Sequence, residues 1–483
     1  MIGDHRLLRC SCSHRFLPTI TAITALLSLL LSGCAALPSM IKPPLEDEGE
    51  VFVYLQPFPV DAERLRFTVE HLSAVGRDGR EFPLALSLEE LSRGAVRRQR
   101  LFASGRLPPG QYTGLSTTVK QALLTGEKGE AALLTPEGPV KMDFSFEVQQ
   151  KRAVVLALSL KYAESVQSGF RFSPVFSLSI PSRPLSGLTG YATNRNDDNI
   201  MVFDKKSGEV AAVIPTGRGP EAIVLDQKAG RAYVSLSGEN EIDVIDVASG
   251  SIINSMHLNA NDEPHDLALT PDGRVLLVVN TYSRTLSIID TRALVELGRI
   301  PLGEGPRSVL TDSFGKRAYV FNELSNTITV IDIANRATVV TLSTDNGPTQ
   351  GQFNRKGDKL YVIFEKNPYL SVIDPSSLSI VRKVFVGPGL SSIKVDTVTD
   401  MLYVNRNPEA VVEMYDPFTL IPGAYIQAVS GIVYMTIDGV ENSLYLVSPE
   451  TGMLMTINLI SKKASTIIDA GENPTWVTMM GER

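Results

Sequence analysis

The phrase RAYVSLSGENEIDVID at 231–246 returns, little changed, as RAYVFNELSNTITVID at 317–332. A chain that repeats itself at a fixed period is confined to a few architectures, so the period is the strongest constraint available. Aligned on the tyrosine of the phrase, the equivalent positions are Tyr191, Tyr233, Leu277, Tyr319, Tyr361, Tyr403 and Tyr445. The steps are 42 residues, with one of 44. A second marker, the polar residue closing the next apolar run, gives the same ladder: Asp204, Asp246, Asp290, Asp332, Asp374, Asp416 and Asn458. The two extra residues fall in NANDEP, before His265, where a loop absorbs them.

Each copy has one grammar. Residues 219–258 contain four short runs rich in Val, Ile, Leu and Tyr, separated by turns rich in Gly, Asp, Asn and Ser. That pattern predicts four short antiparallel strands. Four strands in about 42 residues make a propeller blade, and seven copies close a ring with no free sheet edge. The first copy starts at its second strand, in GLTGYATN, whereas the last ends with an unaccompanied inner strand, NPTWVTMM at 473–480. The C-terminal strand is therefore expected to complete the first blade and latch the ring.

YATN at 191–194, the YV pairs at 233, 319, 361 and 403, and the GP pairs before inner strands resemble the YVTN-type seven-bladed propellers. The resemblance covers about 187–483. It implies the fold, and says little of activity, because one propeller hosts many functions.

Ahead of the repeats, residues 50–181 lack the period but contain strand-like runs, several alternating apolar and polar residues. They predict a β-sandwich of roughly six to eight strands, so the expected fold class is all-β: an N-terminal β-sandwich at 50–181, then the propeller at 182–483. LPPGQYTGL at 107–115 resembles a phrase of transthyretin-like and related sandwich domains of lipoproteins. Residues 87–100, SLEELSRGAVRRQR, are expected to form a short inserted helix carrying Arg93, Arg97, Arg98 and Arg100. That basic cluster reads either as a solvated face or as a contact for anionic lipid headgroups.

The first 33 residues read as a targeting segment. Arg6, Arg9 and Arg15 precede an apolar run that ends in LSGC at 31–34. The phrase resembles the lipobox of bacterial lipoproteins, which implies cleavage before Cys34 and its acylation; the alternative is an ordinary secretory signal with a chance cysteine. The other cysteines, Cys10 and Cys12, lie in the removed segment, so the mature chain would hold no disulfide. Ala35 follows the cysteine where an inner-membrane retention signal would be Asp, which by analogy with enteric bacteria implies the outer membrane, on its periplasmic or external side. Residues 34–49 form a tether; at ~3.3 Å per residue it reaches roughly 50 Å.

Removing a leader of net charge +2 from a chain of −7 leaves −9, which argues against nucleic acid as a partner. Expected partners are the membrane, through Cys34, and an envelope protein or small-molecule ligand on the propeller face. No sequence phrase for a hydrolase, zinc protease, nucleotide loop or haem is present, and no cofactor or metal is expected.

The first residues of the inner strands ring the channel mouth: Glu221, His265, Arg307, Thr349, Ser391, Val433 and Thr475. The next register holds Ala222, Asp266, Ser308, Gln350, Ser392, Tyr434 and Trp476. The candidate binding residues are Glu221, His265, Asp266, Arg307, Thr349, Gln350, Ser391, Thr475 and Trp476; no catalytic residue is assigned. Trp476 either caps the channel or packs. Glu221, His265 and Arg307 fall in consecutive blades and offer an acid–base set with an anion clamp. They open an alternative, a periplasmic lactonase-type hydrolase, beside the reading of a non-catalytic binding scaffold. The bland alternative is mutual ion pairing on a wet rim.

Overall fold

The computed structural model describes residues 45–127 and 129–483. Residues 44–483 form one compact unit. Cys34, with the predicted leader and most of the tether, lies outside the described residues.

The repeats fold as read. Seven four-stranded antiparallel sheets follow one another, and six use strands consecutive in the chain. The first blade joins Thr189–Asn194, Asn199–Asp204 and Val210–Pro215 to the C-terminal strand Pro474–Met479, which pairs antiparallel with Thr189–Asn194. The ring is thus closed by its two ends, and the tyrosine of the repeat is a core residue. Tyr191, Tyr233, Tyr319, Tyr361 and Tyr445 are each 1% exposed, and Leu277 takes the same place at 0%.

The aspartate ladder is a ladder of turns. Asp204 Oδ1 accepts from the backbone N–H of Lys206 and Ser207, Asp290 Oδ1 from Arg292 and Ala293, and Asp416 Oδ1 from Phe418 and Thr419. Asn458 makes the same pair of contacts with Ile460 and Ser461. A short side-chain acceptor at the strand end fixes the hairpin to the outer strand. Such amide donors hold the carboxyls of Asp246, Asp332 and Asp416 below their ordinary range, and at Asp374 the Ser376 hydroxyl and N–H do the same.

The N-terminal region differs from two separate sheets. Glu81–Leu86 pairs on one side with Leu65–Gly76 and on the other with Arg100–Leu107, so both halves belong to a single ten-stranded sheet curled around one core. Gly49–Leu55 is parallel to Ala153–Leu160 and antiparallel to Arg100–Leu107. Its run of apolar residues, GEVFVYL, is buried along its whole length, and the reason is tertiary. Val51, Val53 and Leu55 face the curled core, whereas Phe52 and Tyr54 pack with Met201, Val213, Leu454 and Ile468 of the first and seventh blades. A strand buried on both faces loses the alternation of a half-exposed one. In LPPGQYTGL, the Tyr112 hydroxyl donates back to the Pro108 carbonyl (2.8 Å), and its ring stacks on Phe146.

The expected helix at 87–100 does not form. Residues 90–92 are a short strand paired to Leu65–Gly76, followed by a single turn in which the Val96 N–H donates to the Ser92 carbonyl. The arginines are drawn elsewhere. Arg98 and Arg100 both pair with Asp469 of the seventh blade, and between them Gln99 Oε1 accepts from the Val210 N–H of the first (2.7 Å). The segment is a clasp across the seam where the ring closes, while Arg97 stays exposed.

Below the seam the last residues enter the channel. The carboxylate of Glu482 accepts from the hydroxyls of Thr436 and Thr478, and Arg483 reaches Asp396 of the sixth blade (3.2 Å). Beside them Lys394 is buried, and burial pushes its ammonium below the usual range against the pull of Glu482 and Asp396. Lys205 of the first blade pairs with Asp438 of the seventh at 2.6 Å, both side chains fully buried, and donates to the Met480 carbonyl.

Candidate functional site

The inner strands begin at one face of the ring, so their first side chains converge. All seven residues of the first register, Glu221, His265, Arg307, Thr349, Ser391, Val433 and Thr475, line a single cavity of about 600 Å³ at the channel mouth.

The second register divides. Ser308, Gln350, Tyr434 and Trp476 reach the cavity, whereas Ala222, Asp266 and Ser392 do not line it. Most of its polar members stitch blades together. Asp266 Oδ2 accepts from the Val309 N–H of the next blade (2.8 Å), and its Oδ1 from the Leu267 N–H. Ser308 Oγ donates to the Thr349 carbonyl, and Gln350 Oε1 accepts from the Ile393 N–H. Asp266 is buried, and burial pushes its carboxyl up to about 7 in spite of the two amide donors. Thr475 is also partly spent, since its hydroxyl donates to the Glu221 carbonyl (2.7 Å). Trp476 packs and lines at once: its indole stacks on Tyr434 at 3.7 Å between ring centroids and remains half-buried on the cavity wall.

The charged groups form two clusters. Glu221 is the hub of the first, with Arg195 Nε at 2.8 Å and His265 Nδ1 at 3.6 Å. Arg307 does not join them; it pairs with Glu323 at 3.2 Å. Glu323 is in turn in contact with Glu365. Burial, reinforced by Glu365, pushes the Glu323 carboxyl up, while the hydrogen bond from Glu323 holds Glu365 below its ordinary range.

Arg195, Glu323, Glu365 and Asn407 were not among the predicted site residues, yet they too obey the repeat. Each stands four residues after the tyrosine position of its blade, with Ser237, Thr281 and Pro449 as the other members. The second strand ends there, and its following loop opens at the same mouth. The same ladder, counted forward from the tyrosine, would have found them.

Among the described residues no group of three or more His, Cys, Asp or Glu is arranged to hold a metal ion, and no helix is long and apolar enough to cross a membrane.

Fold and mouth together define a seven-bladed β-propeller, consistent with the YVTN-type resemblance, with a ligand-sized cavity at one end of its channel. Residues 182–399 match the model of the YNCE-like beta-propeller family. No curated protein matches the chain. Among solved structures it is similar to a functionally unknown protein from Desulfotomaculum acetoxidans DSM 771, with 14% identity and a TM-score of 0.55, over 60% of this chain and 98% of that one. It is also similar to hydrazine synthase of Kuenenia stuttgartiensis, with 15% identity and a TM-score of 0.48, over 59% and 92% of the two chains. For dihydro-heme d1 dehydrogenase NirN in complex with DHE the values are 13% and 0.49, over 63% and 78%. At 14% identity the likeness to the Desulfotomaculum acetoxidans protein shows the fold alone.

Proposed function

We propose that this chain is a membrane-anchored envelope lipoprotein whose propeller binds a partner or small ligand at the channel mouth without catalysing a reaction. The observation that carries the reading is the state of the mouth's charged groups. Glu221 is engaged by Arg195 and His265 at once, and Arg307 by Glu323. Paired charges held in place suit recognition of a ligand. The curled sheet clasps the outer strands of the first and seventh blades and leaves the mouth open. Anchoring rests on LSGC at 31–34 and the leader before it.

Capture from native membranes tests the binding role. The full chain should retain an envelope partner or ligand that Arg307→Ala loses; equal retention by both would exclude the mouth. Cys34→Ser should leave the membrane fraction and accumulate as a longer precursor, and unchanged processing with continued sedimentation would refute the anchor. The closeness of Glu221 and His265 favours a second reading, a lactonase-type hydrolase. A lactone and ester panel decides it: turnover above background that disappears in His265→Ala would replace the binding reading.

A further inference from the structure

The charges at the mouth are not presented equally. The side chains of Glu221 and Glu323 are 5% and 13% exposed, whereas those of Arg195 and Arg307, which they hold, are 50% and 52% exposed. Glu221 and Glu323 lie beneath and their guanidinium partners face outward, while the carboxyl of Glu365, itself exposed, lines the cavity on the Arg307 side. A guanidinium has five N–H donors in a rigid plane, so one carboxylate contact orients it and leaves donors for a second anion. The part of the wall formed by Val433, Tyr434, Pro449, Thr475 and Trp476 is uncharged and carries the stacked rings of Tyr434 and Trp476. Between these regions, Asn407 contributes a buried side-chain carbonyl oxygen that accepts no hydrogen bond within the protein. A buried acceptor without a donor is destabilising until one reaches it.

We propose that the mouth cavity binds an anionic saccharide, one or two sugar units bearing a carboxylate or a phosphate. The anion lies on the exposed guanidiniums, the C–H face of the sugar ring lies on Trp476, and a hydroxyl donates to Asn407 Oδ1. Each alternative leaves one feature unanswered. A neutral sugar leaves the guanidiniums without an anion, an aryl carboxylate brings no donor to Asn407, and an inorganic anion brings nothing to the indole. The volume, about 600 Å³, falls within the ~300–1,000 Å³ of small-molecule sites. At the other end of the channel the Glu482 carboxylate sits on Thr436 and Thr478, so the ligand enters from the mouth.

This inference rests on the mouth-binding reading above, and one experiment separates the two. Trp476 is the sole tryptophan and stands on the cavity wall, so its fluorescence reports occupancy directly. The purified full chain is titrated with digalacturonate, glucose 6-phosphate, neutral galactobiose and benzoate. We expect a saturable change with digalacturonate or glucose 6-phosphate, at least about ten-fold weaker with galactobiose and benzoate. Which anionic sugar binds more tightly tells a carboxylate from a phosphate ligand. Arg307→Gln or Arg195→Gln should weaken that binding at least ten-fold while galactobiose is unaffected. The comparison among probes on the unaltered protein holds even if a variant folds poorly. Galactobiose or benzoate binding as tightly as the anionic sugars would overturn the ligand class and leave the mouth a binding site. No response to any sugar also overturns it, and the membrane capture then decides whether the mouth binds anything.

Discussion

The ion pair between Lys205 and Asp438 makes a sharp test of how the ring is closed. Their charged atoms lie 2.6 Å apart with both side chains at 0% exposure, and they join the first blade to the seventh. At an effective dielectric of ~20, unit charges that close attract by roughly 6 kcal/mol. Dehydrating two ions cancels most of this, so the pair itself contributes little net stability. Removing one member is different, because the other stays buried without its counter-ion. Lys205→Met should therefore lower stability by about 3–5 kcal/mol. The lower end is favoured, since Asp438 Oδ1 keeps the N–H donors of Val440 and Glu441. The double variant Lys205→Met with Asp438→Leu removes both charges and should recover most of the loss. It should still miss about 1 kcal/mol for the bond from Lys205 to the Met480 carbonyl. Urea unfolding followed by Trp476 fluorescence reads the effect at the seam, because Trp476 lies in the closing strand. A single variant within 1 kcal/mol of the unaltered protein, or a double variant no more stable than the single, would refute the reasoning.

Three further outcomes follow from the same contacts. Deleting residues 473–483 removes the inner strand of the first blade and exposes an unpaired edge, so the truncated chain should aggregate in size-exclusion chromatography and melt earlier; equal melting would disprove closure by the C-terminal strand. Asp469→Ala frees Arg98 and Arg100, which should cost about 1–2 kcal/mol for these partly exposed pairs and speed protease cleavage near residues 180–188; an unchanged digestion pattern would refute the clasp. Burial raises the Asp266 carboxyl to about 7 and that of Asp243 to about 6 in the folded protein, against ~3.9 in an unfolded chain. Between these values the folded state binds more protons, so stability contributed by the neutral acids is full below pH ~4 and is lost as pH rises towards 7. Asp266→Asn should flatten that part of the stability–pH curve, and a slope unchanged from the unaltered protein would show that Asp266 does not titrate there.

The mouth was legible in part. The register of the inner strands puts Glu221, His265 and Arg307 on one ring, and all three line one cavity, because a propeller places equivalent positions at the same height of its channel. It could not say which of them pair. Glu221 meets His265, but its closest partner, Arg195, comes from a loop of the first blade, and Arg307 turns to Glu323 instead. Pairing depends on side-chain reach across blades, a distance the ladder does not encode. Asp266 shows the same limit from the other side, since its register suggested the mouth and its two oxygens are spent on backbone amides.

What the sequence alone determined is what repeats. The period, the strand pattern and the turn-forming Asp or Asn are local and recur seven times, so each copy checks the others, and the offset between the first and last copies gives the ring closure. What only the tertiary structure decided occurs once. The segment at 87–100 has the composition of a helix, yet Asp469, Val210 and Leu65–Gly76 draw it into a clasp. The two halves of the N-terminal region become one curled sheet because Glu81–Leu86 pairs on both of its edges. In each case partners distant in the chain supply more hydrogen bonds and buried surface than local propensity can offset, and a single copy leaves no ladder from which to read them.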